Sequence, residues 1–375
     1  MNNKHNIVIA SANKAKYSET FIKNQVKHLP TNIHYFHTNF LPTLYSYNDN
    51  PFLKNTILYK VQSFIGEKLY NHNEEYYLKK SIKKYIIKNN INLVLAQYGP
   101  VGVEMMDICE ETKTPLIVYF HGFDAYRHDI LKSYSKKYTK LFSITNKIFV
   151  VSNDMKAQLY NLGAPSKKII YNPCGVNTKF FSYNDVSKNP PIFLFVGRFV
   201  EKKNPMMAIR AFNEVYKEIR DAKLILVGDG TLKTKCENLV NSLDLNKAIT
   251  FMGIQPNENI HKLMAKSRIF LQPSTCPISG DKEGTPVSIM EASLSGLPIV
   301  STKHGGIIDV VINKKSGFLV DEDDFKAMAK HMIQLSIDDK LVSSFGKMGN
   351  KHIMKNFTLT KNIDTIWDTI LTIIN

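Results

Sequence analysis

The sequence predicts an α/β protein built from two doubly wound parallel sheets that face a central cleft. Short apolar runs alternate with longer helical patterns along most of the 375 residues, which is typical of βαβ units. This alternation stops once, near residue 180, in a stretch that has the composition of a linker. The length also favours two domains, because a domain contains roughly 150 residues on average.

Six strands are predicted in each half of the chain. The first set comprises Ile7–Ala10, Ile33–His37, Leu93–Gln97, Leu116–Phe120, Lys147–Val151 and Lys168–Tyr171. The second set comprises Ile192–Val196, Lys223–Val227, Ile249–Met252, Ile269–Gln272, Pro298–Thr302 and Gly317–Val320. The linker Asn177–Pro191 separates them, so we place one Rossmann-like domain at residues 1–180 and the other at 190–356. Doubly wound sheets bind ligands at the carboxyl ends of their strands, which places the predicted active site in the cleft between the domains.

The last predicted helix covers residues 357–375 and is amphipathic. Its apolar residues recur at intervals of three and four positions: Ile363, Ile366, Trp367, Ile370, Leu371 and Ile374. This spacing gives a helix one buried stripe.

The charge of the chain is strongly positive and unevenly distributed. Lys and Arg outnumber Asp and Glu by 49 to 33, a formal net charge of +16. Residues 1–185 carry 24 basic and 13 acidic side chains, so the first half holds +11 of the excess. Such a field suits nucleic acid, an anionic membrane surface or small molecules that carry phosphate. The sequence has no RNA-recognition or helix-turn-helix signature, which argues against a nucleic-acid binder.

The four cysteines are sparse and show no C-x-x-C spacing. This pattern fits a reducing compartment and argues against a structural zinc site. No apolar run approaches the roughly 18 residues that a membrane-spanning helix needs. We therefore expect a cytoplasmic protein that is at most peripheral to the cytoplasmic face of the inner membrane.

The block from Glu283 to Val300 carries the most chemical information. Thr285 and Pro286 form a good N-cap and N1 pair, which predicts a helix that begins at Pro286. The unpaired amides and the dipole of its first turn suit a diphosphate. Glu291, on the second turn, could chelate a ribose diol, and Glu283, just before the helix, could hold sugar hydroxyls. The alternative is that both glutamates are solvated or capping residues.

Three further segments end predicted strands. Gly197 and Arg198 follow one strand, and Lys203 precedes a helix capped by Asn204 and Pro205, so the two cations are candidate clamps on a phosphate leaving group. The alternative is an ordinary surface arginine and lysine. The segment Gly228-Asp-Gly is either a structural turn or a close backbone approach to a ligand, and it is not a G-x-G-x-x-G fingerprint. His121 follows a buried strand and is either a structural histidine or a cleft residue.

Together these segments resemble the retaining glycosyltransferases of family 4, which have the GT-B fold. The motifs that carry the resemblance agree in order and spacing over nearly the whole chain: Ser18-Glu-Thr-Phe-Ile, His121-Gly-Phe-Asp, Val151-Ser152, Pro173-Cys-Gly-Val, Gly197-Arg198 to Lys203, Gly228-Asp-Gly and the Glu283/Glu291 pair. Within that family, the first and last of these motifs are similar to those of bacterial enzymes that build exopolysaccharide, capsule or O-antigen.

The resemblance implies a role for each candidate. Arg198 and Lys203 would neutralise the donor diphosphate, Glu291 would bind the ribose, Glu283 the donor sugar and His121 the transferred sugar. The backbone near Val287 and Ser288 would approach the phosphates and the ribose, and residues around Ile254 would contact the nucleobase. The remaining donor-binding candidates are Thr285, Gly284, Gly197 and Ser18. The resemblance also implies that the carboxyl-terminal helix crosses back onto the first domain.

Two departures from the family pattern stand out. The first loop reads Asn13-Lys-Ala-Lys-Tyr-Ser18 where many members have a Gly-Gly pair near the diphosphate, and Lys14 and Lys16 are the cations available there. Cys174 stands where asparagine is common, and we attach no function to it.

The predicted activity is retaining transfer of a sugar, from a UDP- or GDP-linked donor to a saccharide acceptor on polyprenyl diphosphate or another carrier. No metal is expected, since the acidic run Asp321-Glu-Asp323-Asp324 is interpreted as a solvated turn. The departing phosphate would accept the acceptor's proton, by analogy with the family. Two other activities stay open: a nucleotide-sugar epimerase of the same architecture, and transfer to a soluble acceptor.

Two lysine runs in the first half are hypothesised to dock on anionic lipid, the alternative being solvated helix faces. The runs are Lys79, Lys80, Lys83, Lys84 and Lys88, expected on one helical face, and Lys132, Lys136, Lys137, Lys140 and Lys147.

Overall fold

The computed structural model describes residues 5–14, 20–46, 48–53, 67–68 and 72–375. The first sheet has eight strands in the order β4-β3-β2-β1-β5-β6-β7-β8. Their bounds are β1 Asn6–Ala10, β2 Asn32–His37, β3 Leu44–Tyr45, β4 Asn50–Pro51, β5 Leu93–Gln97, β6 Leu116–Phe120, β7 Lys147–Val150 and β8 Ile169–Tyr171. All neighbours are parallel except β2–β3 and β3–β4, which form a short antiparallel edge.

The second sheet has six strands in the order β11-β10-β9-β12-β13-β14, and every pair is parallel. Their bounds are β9 Ile192–Val196, β10 Lys223–Val227, β11 Ile249–Gly253, β12 Ile269–Gln272, β13 Ile299–Thr302 and β14 Gly317–Val320. This architecture confirms the predicted fold class of two doubly wound α/β sheets. The strand order reverses between β1 and β5 and between β9 and β12, where doubly wound folds bind their ligands.

Fourteen α-helices connect and cover the strands in the described part of the chain. Their bounds are α1 Thr20–His28, α2 Glu74–Lys88, α3 Gly99–Thr112, α4 Phe123–Tyr126, α5 His128–Ile144, α6 Asn153–Asn161, α7 Pro205–Glu218, α8 Lys233–Ser242, α9 Asn257–Lys266, α10 Val287–Leu294, α11 Ile307–Val310, α12 Phe325–Ile337, α13 Asp339–Asn356 and α14 Leu359–Ile374. Among the described residues, no helix is both long enough and apolar enough to cross a membrane.

The sequence of the central strands explains why they lie inside. All five residues of β5 and of β6 are buried. Apart from Gln97 at the end of β5, both strands are continuous apolar runs rather than alternating ones. Such runs are expected where helices cover both faces of a parallel sheet. The carboxyl ends of these strands are then the places where polar residues can reach a cleft.

The predicted linker is more firmly attached than its composition suggests. Arg268 is almost fully buried, and its guanidinium donates hydrogen bonds to the backbone oxygens of Ser187 and Asn189 and forms an ion pair with Asp339 at 2.7 Å. Residues 185–189 are therefore packed on the second domain. The part of the connection that is not packed on the second domain is therefore shorter than the fifteen residues expected from sequence.

The carboxyl-terminal helix α14 packs against the first domain. Asn362 donates hydrogen bonds to the Tyr119 hydroxyl at 3.0 Å and to the backbone oxygen of Pro173 at 2.8 Å. Val176 and Thr358, on the two segments that pass between the domains, form a parallel bridge. The apolar positions Ile363, Ile366 and Ile370 are buried as the periodicity predicts.

The first lysine run divides between two faces of α2, which corrects the expectation of a single basic face. Lys79 and Lys83 point toward α3, where Lys79 lies 3.9 Å from Glu104 and Lys83 forms an ion pair with Glu111. The exposed side of α2 carries the rest of the run together with two exposed apolar residues: Tyr76, Lys80, Lys84, Ile87 and Lys88. In the second run, Lys140 pairs with Asp107 of α3 at 2.8 Å.

Candidate active site

A cleft of about 650 Å³ lies between the carboxyl ends of the two sheets. Eleven of the twelve candidate residues line it, which places residues far apart in the chain in one site. They are His121, Gly197, Arg198, Lys203, Ile254, Glu283, Gly284, Thr285, Val287, Ser288 and Glu291. The twelfth, Ser18, and the neighbouring Lys16 lie outside the described residues.

The two candidate cations stand at the end of β9. Arg198 is exposed to the cleft, and Lys203 is held just before α7, whose first turn is capped by the Asn204 side chain through a 3.2 Å hydrogen bond from the Met207 N–H. Burial lowers the pKa of Lys203 below its ordinary value, while Glu283 opposes that shift. An anion that entered beside Lys203 would offset this burial cost.

Glu283 and Lys203 form the central ion pair of the site. The Lys203 ammonium lies 3.0 Å from Glu283 Oε1, and both side chains are nearly buried. The Ser274 hydroxyl donates to the same oxygen at 3.2 Å. Burial raises the pKa of Glu283, but the attraction of Lys203 and Lys202 outweighs it and brings the pKa to about 2. Glu283 is therefore ionised and held in place at neutral pH.

The helix after Glu283 begins one residue later than predicted. It runs from Val287, with Pro286 as its N-cap, and no side chain caps it. Ile289 and Met290 N–H both bond to the Pro286 oxygen, whereas the N–H groups of Val287 and Ser288 have no acceptor among the described residues. These two free N–H groups and the helix dipole form an anion-binding end that opens into the cleft.

Thr285 does not cap the helix, which corrects the sequence interpretation. Its hydroxyl donates to the Val151 oxygen at 2.7 Å and accepts from the Cys174 N–H at 3.1 Å. Both partners belong to the first domain. Gly284 lies at the same contact, since a Cβ there would stand 2.3 Å from the His121 oxygen. The two residues therefore join the domains beside the cleft.

Glu291 lies on the second turn of α10 and faces the cleft. Burial raises the pKa of its carboxyl to about 7. Close to neutral pH, the free carboxylate is thus costly to keep ionised, and two hydroxyl donors from a ligand would stabilise it. Ser288, one turn earlier, donates its hydroxyl to Gln272 Oε1 at 2.7 Å.

His121 is a neutral residue that is fixed by its neighbours. Gln97 Oε1 lies 2.8 Å from His121 Nε2, and the Gln97 amide donates to Gln25 Oε1 at 2.7 Å, so the imidazole proton is on Nε2. The ring lies between Tyr119 and Phe21, each with its centroid 4.4 Å away. Burial lowers the pKa of His121 to about 3. The imidazole is therefore not suited to transfer a proton at neutral pH.

Asp124 holds the loop that presents His121. Its buried carboxylate accepts hydrogen bonds from the N–H groups of Gly99 at 3.0 Å, His121 at 3.1 Å and Gly122 at 2.8 Å. The aspartate of the His121-Gly-Phe-Asp motif thus acts on the backbone of the loop.

Gly228 and Gly230 have a structural reason to be glycine. Both have positive φ, and a Cβ at Gly228 would lie 1.9 Å from the Gly197 oxygen. A Cβ at Gly230 would lie 2.5 Å from the Phe199 oxygen. The close approach is therefore to the loop that carries Arg198, and this supports the structural-turn interpretation.

Sequence reasoning missed several residues of the cleft. Lys202 pairs with Asp281 at 2.9 Å and adds a third cation beside Arg198 and Lys203. Tyr98, with φ of 79°, follows β5 and lines the cleft from the first sheet. The position of each at the carboxyl end of a strand was the available signal.

All four residues of the acidic turn after β14 are exposed, in agreement with the interpretation as a solvated turn. Two of them also make contacts with the protein. The Asp324 side chain caps α12 by accepting from the Ala327 N–H at 2.9 Å. Glu322 contacts His304, with 2.7 Å between His304 Nδ1 and Glu322 Oε1. The described residues contain no group of three or more His, Cys, Asp or Glu side chains suited to holding a metal ion.

Two glycosyltransferase family models match the chain. Residues 19–180 match glycosyltransferase family 4, and residues 177–352 match glycosyl transferases group 1. Together the matches cover both sheets and meet at the predicted linker.

Individual proteins agree with the family matches. A putative colanic acid biosynthesis glycosyltransferase of Salmonella typhimurium is 28% identical over 271 residues, which cover 71% of this chain and 67% of the relative. The UDP-Gal:alpha-D-GlcNAc-diphosphoundecaprenol alpha-1,3-galactosyltransferase of Escherichia coli is 25% identical over 77% of each chain. The solved structure of Anabaena HepE in complex with UDP has a TM-score of 0.77 at 15% identity, covering 98% of this chain and 100% of that one.

The matched regions span 54% to 67% of the lengths of the first colanic acid and amylovoran biosynthesis relatives. The structural likeness extends over both sheets and the cleft between them. With both halves matched to glycosyltransferase families and the two-sheet architecture in place, the chain belongs to the family 4 glycosyltransferases of the GT-B fold.

Proposed function

We propose that this glycosyltransferase moves a sugar from a nucleotide-sugar donor to a saccharide acceptor, with retention of configuration and without a metal ion. One observation carries the proposal: three cations, two unpaired helix N–H groups and two carboxylates of different pKa converge on one cleft. That combination matches the parts of a nucleotide sugar, namely a diphosphate, a ribose and a hexose.

The leaving group determines the chemistry. Breaking the bond between the sugar and the diphosphate develops negative charge on the phosphate, and the largest catalytic effect comes from groups already arranged around that charge. Arg198, Lys203 and the N–H groups of Val287 and Ser288 would supply them. These protein groups perform the neutralisation that a metal ion would otherwise provide.

The two carboxylates suit two different parts of the donor. Glu291, whose pKa is about 7, would gain stability from the two hydroxyls of a ribose. Glu283 is ionised and held by Lys203 and Ser274, so it would accept hydrogen bonds from the hydroxyls of the transferred sugar. His121 would orient the same sugar. The departing phosphate would then accept the proton of the attacking hydroxyl.

The acceptor is proposed from the relatives. One of them acts on a diphosphoundecaprenol-linked saccharide, as its name states, and others are named for colanic acid or amylovoran biosynthesis. For this chain we propose a saccharide linked to a lipid diphosphate and a place in the synthesis of a surface polysaccharide, on the cytoplasmic side of the membrane.

A thermal-shift panel tests the donor. UDP-glucose, UDP-galactose, UDP-N-acetylglucosamine and GDP-mannose are the probes, and one nucleotide class is expected to raise the melting temperature. A ligand at about 100 times its dissociation constant adds about 2.7 kcal/mol to the folded state. Adenosine diphosphate glucose serves as the control. A panel in which no member stabilises the protein would refute the proposal, and a change in sugar stereochemistry without an acceptor would show an epimerase instead.

The exposed side of α2 supports a lipid surface as a further partner. Lys80, Lys84 and Lys88 lie one turn apart, with Tyr76 and Ile87 exposed on the same side. A basic stripe that contains apolar side chains suits a membrane with anionic headgroups.

Reversing the charge of Lys80, Lys84 and Lys88 to glutamate is expected to abolish co-sedimentation with vesicles that contain phosphatidylglycerol. Each lysine near such a surface contributes about 1 kcal/mol, so the triple variant should lose at least about 100-fold in binding. Lys347, Lys351 and Lys355 have the same spacing on the exposed side of α13 and make a matched control. Equal losses in the two variants would contradict a specific docking face.

A further inference from the structure

Glu322, whose side chain is one-third exposed, is connected to the site through His304. His304 is 1% exposed, and its Nδ1 lies 2.7 Å from Glu322 Oε1. On the other side of the ring, His304 Nε2 accepts a hydrogen bond of 3.1 Å from the Glu283 N–H. The chain of contacts therefore runs from the turn after β14 to the backbone of Glu283.

The second oxygen of Glu322 holds the other end of the same loop. Glu322 Oε2 accepts from the Thr275 hydroxyl and from the Cys276 N–H, both at 2.8 Å. One carboxylate thus binds the start of the segment 275–283 directly and its end through His304. Gly306 adds a 3.2 Å hydrogen bond to the Glu283 oxygen.

The hydrogen-bond partners of Glu322 determine its protonation state. Burial raises the pKa of Glu322, but the hydrogen bonds from Cys276, His304 and Thr275 outweigh it and lower the pKa overall. An ionised Glu322 requires the His304 proton on Nδ1. His304 Nε2 is then the acceptor that the Glu283 N–H needs.

The segment between these two ends reaches the first domain. The Ser279 oxygen accepts a 2.9 Å hydrogen bond from the His128 N–H at the start of α5. A change in the distance between the domains would therefore pull on this segment. Its position at Glu283 depends on how firmly Glu322 and His304 hold the ends.

We propose that Glu322 and His304 are positioning residues that hold Glu283 against the sugar of the donor and affect the nucleotide-binding part of the cleft much less. This inference rests on the proposed function. Among the described contacts, neither residue touches Arg198, Lys203 or Glu291. His304 bonds to the Glu283 N–H, and Glu322 acts through His304 and on Thr275 and Cys276. The expected result is a loss that falls mainly on the interaction with the sugar.

The substitution Glu322→Gln tests the proposal with almost no change in volume. Gln Oε1 can still accept from Thr275 and Cys276, but its amide then donates to His304 Nδ1. The imidazole proton must then move to Nε2. There it faces the Glu283 N–H, and two donors cannot form a hydrogen bond with each other. The variant therefore keeps the loop start and breaks the hydrogen bond at Glu283.

The measurements compare a nucleoside diphosphate with the corresponding nucleotide sugar. The pair is UDP and UDP-glucose, or GDP and GDP-mannose, depending on which nucleotide class stabilises the protein in the thermal-shift panel. Glu322→Gln is expected to bind the diphosphate within twofold of wild type, and to lose about 10- to 100-fold in kcat/KM for transfer. Asp321→Asn removes a charge from the same turn and should leave both values unchanged. ¹⁵N spectra of selectively labelled histidine should show the His304 proton moving from Nδ1 to Nε2.

Variants of His304 provide a second test of the proposal. His304→Ala should match the loss in Glu322→Gln, whereas His304→Gln, whose Oε1 can accept from the Glu283 N–H, should recover part of the transfer. Equal transfer in Glu322→Gln and wild type would overturn the inference, and so would an equal loss of diphosphate binding. A wild-type protein that bound neither pair would instead overturn the proposed function.

Discussion

Replacing Lys203 with alanine is expected to reduce sugar transfer by about 100- to 1,000-fold. Removing one preorganised group that stabilises developing negative charge has an effect of this size in other enzymes. The Lys203 ammonium lies 3.0 Å from Glu283 Oε1, and its side chain is nearly buried. The loss should appear in kcat more than in KM, because the interaction strengthens as the diphosphate departs.

The same substitution also leaves a buried carboxylate without its cation. Glu283 has a pKa of about 2 because Lys203 and Lys202 outweigh the cost of burial. Without Lys203 the pKa of Glu283 should rise, and breaking a buried ion pair costs about 3–5 kcal/mol. Part of the lost activity in Lys203→Ala would therefore reflect a destabilised site.

A double substitution separates the two effects. Lys203→Met with Glu283→Gln removes both charges and keeps the volumes, so its melting temperature should return toward that of wild type. Transfer should stay as low as in Lys203→Ala. Lys233→Ala, which removes an exposed lysine 3.6 Å from Asp229, is the control and should be fully active. Recovery of transfer in the double variant would show that Lys203 serves only to neutralise Glu283.

The fold was predictable because its signals are local. All twelve predicted strands are present: six have the predicted bounds and six differ by one residue at one end. A parallel strand that is covered on both faces needs a continuous apolar run, which is visible in the sequence. The strands β3 and β4 were missed because each has only two residues. Their pairing depends on the edge of β2 and leaves no periodic pattern in the sequence.

The site was predictable where a residue follows a strand or lies near the start of a helix. Arg198 and His121 follow strands, and Glu283 lies in the loop before α10. The carboxyl edges of the two sheets bring these residues together. Thr285 misled the prediction because a threonine before a proline resembles a cap in any sequence. Its hydroxyl is taken by Val151 and Cys174, which are more than one hundred residues away in the chain.

The environment of a charged side chain is the feature that is hardest to predict from sequence. Lys79 and Lys80 are neighbours in the sequence, yet Lys79 pairs with Glu75 at 2.6 Å and Lys80 lies at the surface. Glu322 belongs to a run of four acidic residues and is the one that forms a hydrogen bond with His304. Such choices depend on which partner the tertiary structure brings near, so they become visible only in the structure.

Replacing Glu291 with glutamine is expected to weaken nucleotide-sugar binding by about 100-fold and to remove its dependence on pH. Two hydroxyl donors on one carboxylate are charge-assisted hydrogen bonds, each contributing about 1.5–3 kcal/mol. Glutamine has one acceptor atom in place of two and no charge, so neither hydrogen bond is charge-assisted in the variant. A donor with a 2′-deoxyribose should reproduce part of the loss in wild type and change little in Glu291→Gln.

The pH dependence follows from the direction of the pKa shift. Burial raises the pKa of Glu291 to about 7 in the free protein, and a bound ribose favours the ionised form. Affinity should therefore be constant above pH 7 and fall by up to about tenfold per pH unit below it. Both phosphates of a nucleotide sugar are esterified and stay ionised over this range, so the titration belongs to the protein. Since the ionised carboxylate is the form that is costly to bury, Glu291→Gln should be at least as stable as wild type at pH 8, and weaker binding cannot then come from unfolding. Binding by wild type that did not change between pH 8 and pH 5.5 would show that Glu291 does not hold the ribose.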